Sequence, residues 1–256
     1  MGVSNCKVSV IIPSYNRFVS LQAALASVFR QSHSNLEAIV VNDGSSDPAY
    51  YSARSDRVRW VDLRPPTRET CGRPCPGHAR NAGIALATGD YVAFLDDDDA
   101  WLPEKLSRQL SAMTQSGYKI SCTEGLMGDG LMALGRRYPV YHREFYSNFC
   151  IGLFERTGRA WTGRLPSVLC RDLIAAHNFI ITSSVVVDRG LLRDAGPFKC
   201  LPPGEEDYDL WLRCLEHVDC LHLDTPLTYY DGRLTKRRRE TPLHHRILRR
   251  IRAIFS

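Results

Sequence analysis

The stretch Tyr91-Val-Ala-Phe-Leu-Asp96-Asp97-Asp98-Asp99 restricts the fold more than any other in the chain. Tyr91 to Leu95 is an apolar run of the length of a buried strand. It stops in four adjacent carboxylates. Four like charges side by side repel one another, and packing gives no reason to gather them. A cation removes that cost: hard divalent ions take oxygen ligands and commonly rest on one or two carboxylates plus a substrate phosphate. In open α/β sheets, ligands bind outside the carboxyl ends of strands. Taken alone, the tetrad reads equally well as a solvated acidic turn before a helix that begins near Pro103.

The same strand-then-polar-turn pattern occurs twice upstream. Val8 to Ile12 is β-branched and apolar, and ends in Pro13-Ser-Tyr-Asn-Arg17. Leu36 to Val41 ends in Asn42-Asp43-Gly44-Ser45-Ser46-Asp47. Arg57 to Val61 reads as a further strand. Helical spacing follows the first turn to about Gln31, and recurs over His78–Ala87 and Pro103–Ser116. This alternation predicts an α/β fold with a single, mostly parallel (mixed) central sheet and helices on both faces. Parallel strands would bring the turns at Ser14, Asp43 and Asp96 to one edge. Arg64 to Gly77 reads as a mobile loop. Glu124 to Asp172 has no clear period, and so long an irregular stretch is either functional or conceals elements. Glu205 to His217 reads as a helix with Leu210, Trp211, Cys214 and Leu215 inward. Two short strands, Cys220–Leu223 and Leu227–Tyr230, close the body.

The net charge of +5 is uneven. Residues 233–256 hold nine Lys/Arg and one Glu, hence +8, so residues 1–232 carry about −3. That excludes a nucleic-acid-binding body. In the tail, Leu243, Ile247, Leu248, Ile251, Ile254 and Phe255 share one helical face. This is the pattern of a helix lying on an anionic membrane surface, or of one docking on the body or a partner. The nine cysteines are scattered and odd in number, which argues against a disulfide framework. They point to a cytoplasmic chain, peripheral at most to the cytoplasmic face of a membrane. Neither a signal peptide nor a spanning segment is expected from the pattern. Cys71, Cys75 and His78 have part of a zinc spacing, with no fourth ligand evident.

Five blocks, in order, carry a resemblance: Val10-Ile-Ile-Pro-Ser-Tyr-Asn-Arg17, Val40-Val-Asn-Asp-Gly-Ser-Ser-Asp47, Ala79-Arg-Asn-Ala-Gly83, Phe94-Leu-Asp-Asp-Asp-Asp99 and Glu205-Glu-Asp-Tyr-Asp-Leu-Trp211. On these the chain resembles a family 2 nucleotide-sugar glycosyltransferase of the GT-A fold, from about Val8 to Tyr230 with Glu124–Asp172 fitting poorly; the domain is read as 1–232, with 233–256 as a separate basic tail. The resemblance implies inverting, metal-dependent transfer of a sugar from a nucleotide diphosphate-sugar to an acceptor hydroxyl. Uridine diphosphate is the default donor nucleotide and guanosine diphosphate the alternative. The cofactor implied is Mn²⁺ or Mg²⁺. A glycan, a lipid-linked sugar or a protein would be the acceptor, with residues 124–172 on its side.

The resemblance also assigns residues. Asp43 would bind the nucleobase, with Pro13, Ser14, Tyr15 and Asn16 as the wall beside base and ribose. Arg80 would lie near the nucleotide, pairing with a carboxylate or phosphate. Asp96 would face the ribose or a metal-bound water, and Asp98 would ligate the cation. Asp97 falls in the motif's variable place on the donor side, and Asp99 supports the turn. Asp207 would be the general base, with Glu206 holding the acceptor or orienting the loop. Trp101 is open to stacking on a sugar or to packing; Trp211 belongs in the core. The pattern departs from the family after Tyr229-Tyr230, where Asp231 and Gly232 stand in place of a frequent basic residue. Two other classes remain open: a nucleotidyltransferase, and a non-catalytic glycan- or partner-binding domain on the same fold. Phosphate-loop and dinucleotide motifs are absent from the sequence.

Overall fold

The computed structural model describes residues 6–233 except Leu134, Thr157, Arg159 and Pro203, with Arg156 placed by its backbone alone. The basic tail therefore lies outside the described residues, apart from Arg233. A mixed nine-stranded sheet forms the centre, its strands numbered here in chain order. One half is parallel: β1 (Val8–Ser14), β2 (Leu36–Asn42), β3 (Val58–Asp62) and β4 (Tyr91–Phe94), in the order β3-β2-β1-β4. The sheet continues through β8 (Val186–Asp188), β6 (Ile120–Gly128), β9 (Cys220–Asp231) and β5 (Ala100–Trp101), with β7 (Val168–Leu169) also on β9. Strand β8 is antiparallel to both neighbours, so sheet polarity reverses at β4.

Alternate side chains of β1 enter two different cores, as a pleated strand requires. Val8, Val10 and Ile12 meet α1 (Phe18–Phe29) and α5 (Lys105–Ser116) through Leu21, Ala24, Val28, Leu106 and Leu110. Ile11 faces the other way, towards α4 (Pro76–Ile84), α8 (Arg189–Ala195) and α9 (Glu206–Cys214). Helix α4 lies close on β1 because Gly83 has no side chain; a Cβ there would come within 2.6 Å of Ile11 Cγ2. Helix α9 is anchored to β4 by an aromatic triangle. The Phe94 ring lies 5.4 Å from Phe198 and 5.9 Å from Trp211, and Phe198 lies 6.1 Å from Trp211. Trp211 is a core residue, as its sequence neighbours imply.

Three segments differ from their sequence expectation. The supposed mobile loop contains α3 (Thr67–Thr70), and α4 begins inside it, with Pro76 suited to a first helical turn. The two closing strands are one strand, β9; the polar stretch Asp224-Thr-Pro226 that suggests a turn sits opposite an irregularity in β6 at Glu124. Pro is tolerated at such bulges because a regular ladder bond is already missing. The stretch 124–172 conceals the end of β6, a π-helical turn (Tyr141–Phe145), α6 (Ser147–Arg156) and β7. The first part hangs on a buried acid, which leaves no period in the sequence, while α6 buries Cys150, Leu153 and Phe154 in the core. Glu124 Oε1 accepts from Gly125 N at 2.8 Å and lies 2.9 Å from His142 Nδ1. Helix α7 (Arg171–Ala176) follows.

His177, after α7, packs between the rings of Phe149 and Phe179, at 4.5 and 5.0 Å. Burial pushes its imidazole down to about 4. A histidine held neutral binds its proton later in the folded than in the unfolded chain. Stability from this group is therefore complete above pH ~6.5 and lost as pH falls towards about 4, by up to about 3 kcal/mol. His177→Phe is expected to flatten the fall of Tm between these pH values, measured by thermal unfolding across that range. An unchanged slope would contradict the assignment. Among the described residues no helix is long and apolar enough to cross a membrane.

Candidate active site

The carboxyl ends of β1, β2 and β4 open into one cleft of about 540 Å³. Its wall includes Pro13, Ser14 and Tyr15 from the β1 turn, Asp43 after β2, and Asp96, Asp97 and Asp98 after β4. Arg80 of α4, with Glu206 and Asp207 of α9, completes it. Ten of the residues singled out from sequence thus share one cavity, although they span nearly two hundred positions.

Arginines partition the acids. Arg80 is buried at 3 % exposure; its Nη2 donates to Asp96 Oδ1 at 2.6 Å, and its Nη1 lies 3.6 Å from Glu206 Oε1. It pairs with carboxylates from both sides of the cleft. Arg17, which no role from sequence covers, places Nη1 3.1 Å from Asp97 Oδ1 and 2.8 Å from Asp98 Oδ2. Asp97 also accepts from Ser14 Oγ at 2.7 Å, and Ser14 Oγ in turn bonds Tyr50 Oη. The variable position of the motif is therefore the most tightly held of the three acids in the cleft wall.

The acid turn is repulsive without a cation. Burial, then the charges of Asp96 and Asp97, push the Asp98 carboxyl up to about 7. Burial raises Asp97 and Glu206 as well. The donor set consists of carboxylate oxygens, the ligands that hard divalent ions take. Asp98 thus fits a Mn²⁺ or Mg²⁺ ion on the chemistry of its surroundings.

A second device, missed in the sequence, joins the acid turn to α9. The 3₁₀ turn Thr182–Ser184 leads into β8 and reaches the end of β4. Ser183 Oγ accepts from Asp96 N at 3.0 Å and donates to Asp99 Oδ2 at 2.5 Å. Thr182 Oγ1 donates to Asp207 Oδ2 at 2.6 Å. The signal was present: three hydroxyl residues interrupt the apolar run 178–187. Ser183 is 1 % exposed. Ser183→Ala leaves a backbone N–H and a carboxylate oxygen without partners, and is expected to cost roughly 2–3 kcal/mol of unfolding free energy. Denaturant unfolding checks this against Thr114→Ala, at an exposed position of α5.

Other positions resolve as follows. Asn16 is outside the cleft wall. It holds a left-handed backbone (φ 50°), and its Oδ1 accepts from Ser46 N at 2.9 Å and Asp47 N at 3.2 Å, tying the β1 and β2 turns together. Both oxygens of Asp43 are engaged by Thr67, through N at 2.6 Å and Oγ1 at 2.5 Å. A nucleobase N–H would use a remaining lone pair. Asp99 supports the turn, also accepting from Asp231 N at 2.8 Å. Trp101 does not stack on a sugar: it is 2 % exposed and its Nε1 donates to Ser183 O at 2.7 Å. Arg68 lies over the Tyr15 ring at 4.3 Å and joins the cleft wall, as do Tyr141 from the concealed segment and Tyr230 and Asp231 at the end of β9.

Comparison with known proteins agrees with this geometry. Residues 9–151 match the model of Glycosyl transferase family 2. The chain is 30 % identical over 209 residues to the Escherichia coli UDP-Glc:alpha-D-GlcNAc-diphosphoundecaprenol beta-1,3-glucosyltransferase WfgD, covering 82 % of this chain and 70 % of that protein. It is 31 % identical over 209 residues to the amylovoran biosynthesis glycosyltransferase AmsB of Erwinia amylovora, covering 80 % and 62 %. Across the curated relatives compared, it spans from 17 % to 70 % of their length, and under two thirds of most. In fold it is similar to S. aureus TarS 1–349 in complex with UDP-GlcNAc, with a TM-score of 0.61 and 19 % identity over 89 % of this chain and 59 % of that one. The mannosyltransferase PcManGT of Pyrobaculum calidifontis, in complex with GDP-Man and Mn²⁺, gives a TM-score of 0.59 and 16 % identity over 87 % and 56 %. The fold is GT-A, and the chain belongs to glycosyl transferase family 2.

Proposed function

We propose that the chain transfers a sugar from a nucleotide diphosphate-sugar to an acceptor hydroxyl, with inversion at the anomeric carbon and with a divalent cation. The observation that carries this reading is the meeting of Asp43, Asp96, Asp98 and Asp207 in one cleft, from three separate stretches of sequence. A uridine diphosphate-sugar is the favoured donor, in keeping with the UDP-GlcNAc bound by TarS and the UDP-Glc named for WfgD. A lipid-linked sugar is the favoured acceptor class, by analogy with the diphosphoundecaprenol substrate named for WfgD.

Each group has a task in this scheme. Pro13, Ser14 and Tyr15 flank the base and ribose, with Asn16 holding the shape of their turn, and Asp43 accepts from the base. Asp96, steered by Arg80, faces the ribose. Asp98 would hold Mn²⁺ or Mg²⁺, which when bound neutralises charge on the departing diphosphate. Arg17 and Asp97 keep Asp98 in place. On the opposite side Asp207 takes the proton of the acceptor hydroxyl as that oxygen attacks, because a neutral hydroxyl is a poor nucleophile. Thr182 fixes the rotamer of Asp207, and Glu206 holds the loop through Gly204 N at 2.6 Å. A single displacement between the two sides inverts the sugar. A thermal-shift and hydrolysis screen of nucleotide sugars, with and without Mn²⁺, tests the reading. Stabilisation by one uridine diphosphate-sugar that depends on Mn²⁺ is expected; indifference to every nucleotide sugar would refute it.

A further inference from the structure

We propose that Cys71, Cys75 and Cys200 form a zinc-binding site, separate from the carboxylate site and bracing the wall of the same cleft. Among the described residues these three are the one group of His, Cys, Asp or Glu, three or more strong, whose ligand atoms all lie within 4.8 Å of one another. A tetrahedral thiolate site with Zn–S bonds of about 2.3 Å sets its sulfurs roughly 3.8 Å apart, so closure asks for shifts of about 1 Å at most.

The local structure is suited to this. Cys71 caps the end of α3 and Cys75 the start of α4, a Cys-x₃-Cys spacing within the range of zinc ligand pairs. The turn between them is fixed by Gly72 in a left-handed conformation (φ 67°) and by Pro74 and Pro76 on either side of Cys75. Cys75 N donates to Thr67 Oγ1 at 3.1 Å. From the far side, Arg73 Nη2 donates to the carbonyl of Cys200 at 2.6 Å. His78, which the sequence groups with Cys71 and Cys75, is not a member of the trio; Cys200, more than a hundred residues on, takes that place.

The chemistry selects the metal. Three sulfurs are a soft donor set, which suits zinc and is poor for Mg²⁺ or Mn²⁺. All nine cysteines are free, and a disulfide would use two members of the trio and give the third no part. On binding, three S–H protons pass to solvent as three Zn–S bonds form, with no change of oxidation state; solvent fills the fourth position. The ion would tie Pro74-Cys75-Pro76, which line the cleft, to the loop that runs from Cys200 into Glu206 and Asp207. It would thus brace the donor wall against the segment that carries the proposed base.

The full chain, purified reduced and without chelator, is exposed to zinc, desalted and assayed for metal. A parallel sample receives Co²⁺. The expected result is one zinc per chain and a near-ultraviolet thiolate-to-cobalt absorption. Cys71→Ser and Cys200→Ser should each lower zinc content at least tenfold and abolish the band, with circular dichroism unchanged, while Cys6→Ser keeps both. Reduced wild-type protein that retains no zinc overturns the proposal, as does zinc content that survives Cys71→Ser and Cys200→Ser. A disulfide within the trio, with no zinc bound after its reduction, also overturns it. None of these readouts needs a sugar donor, so they are independent of the proposed transfer reaction.

Discussion

Asp207→Asn is expected to reduce sugar transfer by roughly 10²–10⁴-fold while leaving donor binding within about twofold of the parent. The substitution keeps the shape of the side chain and one of its two acceptances, from Thr182 Oγ1 or from Tyr208 N, each at 2.6 Å. It removes the negative oxygen that would take the proton in the proposed scheme. The proposed donor groups, Asp43, Asp96 and Asp98, are untouched. Isothermal titration with a uridine diphosphate-sugar and a transfer assay separate the two effects. Weakened donor binding with normal turnover of bound donor would place Asp207 on the nucleotide side and remove the base from the scheme.

Asp98→Asn should act in the opposite sense on two properties. Transfer falls by roughly 10²–10³-fold, because stabilisation of charge on the leaving diphosphate is lost. The metal-free protein, in contrast, becomes more stable at pH 8. The sign follows from the raised carboxyl, pushed up to about 7 by burial and by Asp96 and Asp97. A carboxyl with a folded value above its unfolded one contributes stability below pH ~4, and that contribution is lost as pH rises through about 7. Above that pH the wild-type carries the full cost of an extra buried charge, and asparagine does not. The variant should therefore show a higher Tm without metal and lose the Mn²⁺-dependent rise with donor. A lower metal-free Tm at pH 8 would mean that the ion pair with Arg17 Nη1, at 2.8 Å, outweighs the repulsion.

The half of this molecule built on β1, β2 and β4 is legible in its sequence because each strand ends in a polar turn of its own. The periods of β1, β2 and β4 and the residues beyond them locate Ser14, Asp43 and Asp96 without any knowledge of long-range contacts. The other half is not legible in this way. Arg17 and Asp97 matter through each other across 80 positions, and Ser183 through Asp96 and Asp99 across more. A buried hydrogen-bonded hydroxyl has the same local sequence as an exposed one. Trp101 shows the converse: a tryptophan beside an acid motif suggests a sugar platform, and only the pairing of Ala100 with Tyr229 in β9 reveals that the chain turns it inward. The segment 124–172 is hard to read for a third reason: its first part is held by an acid–imidazole contact at Glu124, which has no local sequence pattern.

The adjacent hydroxyls of Thr182 and Ser183 have a geometric consequence. One grips the acid turn that would serve the leaving group, and the other grips the carboxylate that would serve the incoming oxygen. Their α-carbons are a single peptide apart, about 3.8 Å, a length that covalent geometry does not let vary. In the proposed scheme the spacing of these two grips is thereby gauged by one amide plane, and a swap of loops around the rim leaves that ruler unchanged.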